Sequence, residues 1–172
     1  MGDFVAIIIS GKELSSKQRA NMKNQVEMLE NKYGRKPHLA VILIGDDAGS
    51  VSYVRGKEKA CNEIGITNTT IIRPVEITQV ELLDIIEELN NNDEIDGILV
   101  QLPLPKHINQ TYIINSIRPD KDVDGFHPVN VASLYLKQPG IIPCTPKGII
   151  EVLDSVDIPI EGKRAVVIGR SN

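Results

Sequence analysis

The segment 96–105 constrains the fold of this chain more than any other feature of the sequence. Its apolar run 98–100 is typical of a parallel strand that is buried on both faces. Gln101 follows at the carboxyl end of this predicted strand, and Pro103 and Pro105 prevent further pairing in a sheet. Ligands of open α/β sheets bind beyond the carboxyl ends of the strands. Gln101 is therefore either a site residue or a polar cap of the strand.

The pattern before and after this segment alternates between helices and strands. Helical spacing of apolar residues and short apolar runs closed by glycine or proline are the signals. They predict strands at 39–44, 69–73 and 95–100. They also predict helices at 14–33, 50–63, 78–89, 110–116 and 147–153. Ser50 is the predicted N-cap of the second helix, which ends at about residue 63, and Thr78 with Glu81 forms a capping box at the start of the third. This alternation predicts an α/β fold, a three-layer α/β/α domain with a mostly parallel sheet.

The last part of the chain predicts the beginning of a second domain. A loop at 118–130 precedes a rigid joint at 143–146. The apolar run 163–168 predicts a further strand, and Gly169 follows it directly. A strand that leads into a glycine turn begins a Rossmann dinucleotide-binding domain, although one such turn is a weak signal by itself.

Composition and charge exclude several classes of protein. The net charge is −4 and no basic block occurs, which argues against a nucleic-acid partner. Two cysteines, Cys61 and Cys144, make no disulfide framework and indicate a reducing, cytoplasmic location. The apolar run 4–9 is too short to span a membrane and lacks the basic flank of a signal peptide. Aromatic residues are only 3% of the chain, so we expect an aliphatic core.

Tyr53 and Lys57 are the first candidates for chemistry. They are four residues apart on a predicted helix and therefore share one face, near the rim that holds Gln101. A role in proton transfer requires Lys57 to be partly buried. The alternative is a solvated surface lysine, which is the commoner fate of this residue type.

The predicted loop 120–125 supplies acidic candidates. It resembles a calcium loop, but no helix–loop–helix frame surrounds it and Val131 stands where the distal glutamate belongs, so we exclude calcium. Asp124 is the candidate to face a ligand that is rich in N–H donors, and we expect Asp122 to fasten the loop. Histidines and cysteines lack metal-ligand spacing, and no base is evident beside Cys144.

Five runs of residues together resemble the bifunctional methylenetetrahydrofolate dehydrogenase/cyclohydrolase family. Two of them read Asp-Gly-Ile-Leu-Val-Gln-Leu-Pro-Leu-Pro at 96–105 and Lys-Asp-Val-Asp-Gly-Phe-His-Pro at 121–128. The others lie at 45–57, 143–148 and 167–172, in the order that the family has. One departure is Ala132, where family members usually have glycine.

The resemblance implies a role for each matching residue. Tyr53 is similar to the residue that stacks on the aminobenzoyl ring of folate, and Lys57 is similar to the catalytic lysine of the cyclohydrolase step. Gln101 is similar to the partner of that lysine, and Asp124 to the carboxylate that holds the pterin N–H groups. The resemblance places Val100, Leu102 and Pro103 around the substrate, and it assigns NADP binding to Thr145, Gly169, Arg170 and Ser171.

The resemblance also implies an activity. It predicts a folate-binding catalytic domain at 1–142, followed at 143–172 by the interdomain helix and the first strand of an incomplete NADP-binding domain. The family oxidises 5,10-methylenetetrahydrofolate with NADP and hydrolyses the methenyl product to 10-formyltetrahydrofolate, as a metal-free cytoplasmic homodimer that serves purine biosynthesis. We expect this chain to lack dehydrogenase turnover. Two alternatives remain, a dehydrogenase with weak cyclohydrolase activity and a non-catalytic folate-binding fragment.

Overall fold

Helices and strands alternate through the part of the chain that the computed structural model describes, residues 8–156 and 159–169. The elements in chain order are α1 (Gly11–Tyr33), β1 (His38–Ile44), α2 (Ala48–Ile64), β2 (Thr67–Arg73), α3 (Gln79–Asn91), β3 (Gly97–Val100), α4 (Gln110–Ser116), α5 (Pro128–Tyr135) and α6 (Cys144–Asp154). The predicted α/β class is confirmed, and α4 has the predicted bounds. No helix within the described ranges is long and apolar enough to span a membrane.

The sheet has three parallel strands in the order β2-β1-β3. The central strand β1 aligns Leu39 with Gly97 and Ile42 with Val100. The backbone N–H of Gln101 donates to the carbonyl oxygen of Ile42 at 2.9 Å, which continues the pairing one residue beyond β3. All carboxyl ends therefore meet at one edge of the sheet, where the sequence predicts the site.

Both faces of the sheet are covered by aliphatic side chains. On one face, alternate residues of β1 such as Ile42 pack with Leu82 and Ile86 of α3 and with Ile113 of α4. On the other face, Val41, Leu43 and Leu99 pack with Val54 of α2. This alternation follows from the period of two along a strand. It gives the predicted three layers and the predicted aliphatic core.

The helix ends follow their capping residues. Thr78 and Glu81 form the predicted capping box, and Gly34 and Gly65 end α1 and α2 with φ of 74° and 87°. The prediction of Ser50 as the N-cap of α2 is wrong. Asp47 is the N-cap, because its carboxylate accepts the backbone N–H of Ser50 at 2.8 Å.

Two predictions in the last third of the chain are wrong as well. The predicted loop 118–130 contains the start of α5 at Pro128, since proline suits the first turn of a helix. The predicted strand 163–168 is absent: residues 163–169 have no regular secondary structure, and Val167 and Ile168 are at least 94% exposed. A strand needs a neighbour to pair with, and the described part of the chain provides none for this segment.

Candidate functional site

A hydrogen bond between two side chains forms the centre of the candidate site. Nζ of Lys57 on α2 donates to Oε1 of Gln101, directly after β3, at 2.9 Å. Both side chains are half-buried. The strands β1 and β3 end at this edge, and α2 begins just beyond β1, which explains why residues 44 positions apart in the chain meet here.

The amide of Gln101 has one defined orientation. Its Nε2 donates to the carbonyl oxygen of Leu102 at 2.7 Å, which turns Oε1 toward Lys57. The lysine ammonium carries three N–H donors and uses one of them in this contact. Its other two donors have no partner among the described residues and can reach a bound molecule.

Asp124 provides a carboxylate at the same site. Partial burial raises the pKa of this group, the charge of Lys57 opposes that rise, and the charge of Asp122 adds to it. Within the described residues, no hydrogen bond contributes to the pKa of Asp124. The carboxylate is thus a half-buried acceptor for which the described residues supply no donor, so its oxygens are open to donors from a ligand or from water.

A glycine fixes the turn that follows this carboxylate. Gly125 has a φ of 69°, a conformation that favours glycine, and its backbone approaches the linker to α6 closely. A Cβ at this position would lie 2.8 Å from N of Pro143 and 2.9 Å from O of Ile141. Only glycine fits this contact, which agrees with the tight turn that we predicted after Asp124.

The other predicted substrate residues have different environments. Tyr53 lies one turn before Lys57 on α2, and 70% of its surface is exposed, so its ring is available for stacking. Leu102 is half-buried and Pro103 is exposed. Val100 is only 5% exposed and packs in the core with α3 and α4, which leaves its side chain little surface for a ligand.

The structure adds one residue that the sequence did not suggest for the site. Sγ of Cys144 donates to the carbonyl oxygen of Val123 at 3.5 Å. Burial raises the pKa of this thiol, Asp124 raises it further, and Lys57 opposes the rise. A raised pKa keeps the thiol protonated near neutral pH, and the thiolate is the nucleophilic form. Its closeness to this loop is not evident from the sequence, because it depends on the tertiary contact between the turn at Gly125 and the linker to α6.

The predicted cofactor residues are only partly within the described chain. Thr145 is exposed in the first turn of α6, and Arg170 and Ser171 lie outside the described residues. Among the described residues, no atom lies within 4 Å of the place that a Cβ of Gly169 would take. Within 8–156 and 159–169, no group of three or more His, Cys, Asp or Glu side chains could hold a metal ion.

Comparisons with known proteins match both parts of the chain. Residues 9–124 match the model of the tetrahydrofolate dehydrogenase/cyclohydrolase catalytic domain, and residues 143–172 match the NAD(P)-binding domain of the same family. The chain is 53% identical over 168 residues to the bifunctional protein FolD of Oceanobacillus iheyensis and 51% identical over 169 residues to that of Bacillus cereus. Each alignment covers 98% of this chain and 59% of the relative, so the chain spans about three fifths of their length.

Solved structures give the same result for the fold. The enzyme FolD of Campylobacter jejuni superimposes with a TM-score of 0.91 at 48% identity, over 94% of this chain and 57% of that protein. The FolD of Trypanosoma brucei, solved with NADP cofactor and inhibitor, superimposes with a TM-score of 0.92 at 36% identity, over 96% of this chain and 57% of that one.

Proposed function

The chain belongs to the tetrahydrofolate dehydrogenase/cyclohydrolase family, and we propose that it binds one-carbon derivatives of tetrahydrofolate and hydrolyses 5,10-methenyltetrahydrofolate. One observation carries this proposal. The Lys57–Gln101 hydrogen bond lies at the carboxyl edge of the sheet, beside the half-buried carboxylate of Asp124, for which the described residues supply no donor. This arrangement combines a proton carrier with an acceptor for a donor-rich ring.

Binding depends on Asp124 and Tyr53. A pterin ring presents several N–H donors along one edge, and an ionised carboxylate offers acceptors only. A hydrogen bond to a charged acceptor is stronger than one between neutral groups. The exposed ring of Tyr53 supplies a face for the benzoyl part of the substrate.

The hydrolytic step needs proton transfer at one carbon. Water attacks the cationic methenyl carbon and forms a C–O bond. The bond from this carbon to N5 then breaks, N5 takes up a proton, and one proton is released overall. Lys57 relays protons between the attacking water and N5, and Gln101 holds its Nζ in place by accepting one N–H. The amide orients the lysine without adding charge to the site.

A wider proposal concerns the activity of a protein with the full length of these relatives. We infer an NADP-dependent oxidation of 5,10-methylenetetrahydrofolate before the hydrolysis, in a cytoplasmic homodimer. The match of 143–172 to the NAD(P)-binding domain supports a domain boundary at 142/143, and the relative from Trypanosoma brucei that was solved with NADP supports this cofactor. The described residues form no nucleotide cradle, so we derive no step through NADP.

Hydrolysis of 5,10-methenyltetrahydrofolate by this chain, followed by the loss of its absorbance, tests the proposal. We expect catalysis above the buffer rate, and a loss of about 10²-fold or more in Lys57→Met. Lys59→Met is the matched control, because Lys59 is exposed and two residues along the same helix, so it faces another direction. Equal rates in both variants would contradict the assignment of Lys57. Unchanged ligand affinity with no catalysis in any form would favour the non-catalytic folate-binding alternative.

A further inference from the structure

Two adjacent charged residues in the loop before Asp124 are buried. Lys121 is 6% exposed and Asp122 is 2% exposed. Charged side chains are almost never buried to this extent unless they have partners. Neither residue takes part in an ion pair with another described residue. Their burial therefore has to be compensated by hydrogen bonds, and these bonds show what the two residues do.

Lys121 ties the loop to the end of α3 and to the sheet. Its Nζ donates to the carbonyl oxygens of Leu89 and Asn90, both at 3.0 Å, and of Asn92 at 2.8 Å. All three donors of the ammonium are thus used, and the positive charge lies at the negative end of the helix dipole. The carbonyl oxygen of Lys121 also accepts the N–H of Ile98 at 2.7 Å, which fixes its backbone against β3.

Asp122 is the next residue of the loop, and it binds α5. Its Oδ2 accepts the backbone N–H of His127 at 2.8 Å and Nδ2 of Asn130 at 3.0 Å. Asn130 is buried too, and its Nδ2 also donates to the carbonyl oxygen of Pro119 at 2.8 Å. Its Oδ1 accepts the N–H of Ile141 at 3.3 Å. Two consecutive residues are therefore held by two different helices, Lys121 by the end of α3 and Asp122 by α5.

We propose that Lys121 and Asp122 are positioning residues, which hold the carboxylate of Asp124 in place for the pterin ring before the ligand binds. This inference rests on the proposed function. A half-buried carboxylate that lacks a donor among the described residues gains free energy by turning toward water, and a mobile loop would allow that movement. The hydrogen bonds of Lys121 to the end of α3 and of Asp122 to α5 restrict that movement. The entropy cost of ordering Asp124 then falls on folding and not on ligand binding.

A double-mutant cycle on ligand affinity tests the proposal in the full chain. The probes are tetrahydrofolate and p-aminobenzoylglutamate, which lacks the pterin ring. We expect Lys121→Met to weaken tetrahydrofolate binding by roughly tenfold to a hundredfold. Binding of p-aminobenzoylglutamate stays unchanged. In the background of Asp124→Asn, we expect Lys121→Met to cause no further loss, because it acts through that carboxylate.

Two variants complete the design. Lys36→Met removes an exposed lysine before β1 and is expected to change neither affinity. Asp122→Asn keeps the size of the side chain and one acceptor, and it replaces Lys121→Met in the same cycle if that variant fails to fold. The same pattern of losses from Asp122→Asn supports the proposal.

Three results would overturn the inference. They are an unchanged affinity for tetrahydrofolate in Lys121→Met, equal weakening of both probes, and losses that add in the double variant. A different result would contradict the proposed function. If Asp124→Asn alone leaves tetrahydrofolate affinity unchanged, Asp124 does not bind folate, and Lys121 and Asp122 then have no positioning role.

Discussion

The two ends of the sheet carry the same chemical group in opposite states. At the amino end, Asp96 accepts two hydrogen bonds of 2.7 Å from Arg35 and one of 2.8 Å from the backbone N–H of His38. At the carboxyl end, Asp124 has no donor within the described residues. A carboxylate whose acceptors are filled by the protein serves the fold. One whose acceptors are left open by the described residues can accept donors from a ligand or from water.

The pKa values of the two groups move in opposite directions. The hydrogen bonds from Arg35 lower the pKa of Asp96, so its stabilising contribution is present above the pKa of the unfolded chain and is lost as pH falls through the folded pKa. Burial raises the pKa of Asp124. The contribution of this group to stability is therefore fully present below the pKa of the unfolded chain, and it is lost as pH rises through the folded pKa. Near neutral pH, Asp96 stabilises the fold and Asp124 destabilises it.

The largest expected effect is at the carboxyl end. Gln101→Leu keeps the size of the side chain and removes the acceptor of Lys57, so Nζ loses its fixed position. We expect kcat for 5,10-methenyltetrahydrofolate hydrolysis to fall about a hundredfold. Gln110→Leu, at the exposed start of α4, is the control and should keep the parental rate. A parental rate in Gln101→Leu would show that the Lys57–Gln101 contact has no catalytic role.

The next effect lies between the two ends. A Cβ at Gly97, the first residue of β3, would overlap Cγ1 of Val123 in the loop that carries Asp124. We expect Gly97→Ala to lower the free energy of unfolding by about 1–3 kcal/mol, measured in urea. Gly56→Ala is the control, because nothing lies within 4 Å of its Cβ position. A stability of Gly97→Ala equal to that of the parent would mean that this loop yields freely to β3, whereas Gly56→Ala, inside α2, should not lose stability.

A smaller loss is expected at the amino end. Asp96→Asn removes the charge that pairs with Arg35, and the pair is partly exposed, with side-chain exposures of 37% for Arg35 and 43% for Asp96. Exposed pairs contribute little, so Tm at neutral pH should fall less than in Gly97→Ala. The acid side of the profile of Tm against pH should flatten. A profile identical to that of the parent would show that Asp96 does not contribute to the acid sensitivity of the fold.

The smallest expected effect has the opposite sign. Asp124→Asn removes a half-buried charge that has no donor in the described structure, so the chain should gain stability near neutral pH, by about 0.5 kcal/mol. The gain should shrink as pH falls and the parental Asp124 takes up its proton. A loss of stability at neutral pH would show that this carboxylate is part of the structural framework.

The sequence predicts the first two thirds of the fold well, for a physical reason. Strands β1 and β3 are short apolar runs that end at turn residues, and Thr78 with Glu81 marks the start of α3. These signals are local. The apolar strands that they predict are buried because they pair with each other in the same sheet. The run 163–168 carries the same signal, but no neighbouring strand of the described chain pairs with it.

The site is predictable only in part. The period of a helix and the common edge of a parallel sheet bring Lys57 toward Gln101, and both follow from the sequence. The burial of Lys121 does not follow from the sequence, because a lysine in a loop between acidic residues is ordinarily solvated. Its environment depends on where the end of α3 lies in space, which no local pattern of residues contains.

The contrast between Asp124 and Asp96 has one direct test, in which tetrahydrofolate affinity and the free energy of unfolding in urea are measured for Asp124→Asn and Asp96→Asn together. The account predicts that Asp124→Asn weakens affinity without lowering stability, and that Asp96→Asn lowers stability without changing affinity. If either substitution lowers both quantities, or if the two effects are exchanged, the division between a structural end and a functional end of the sheet is contradicted.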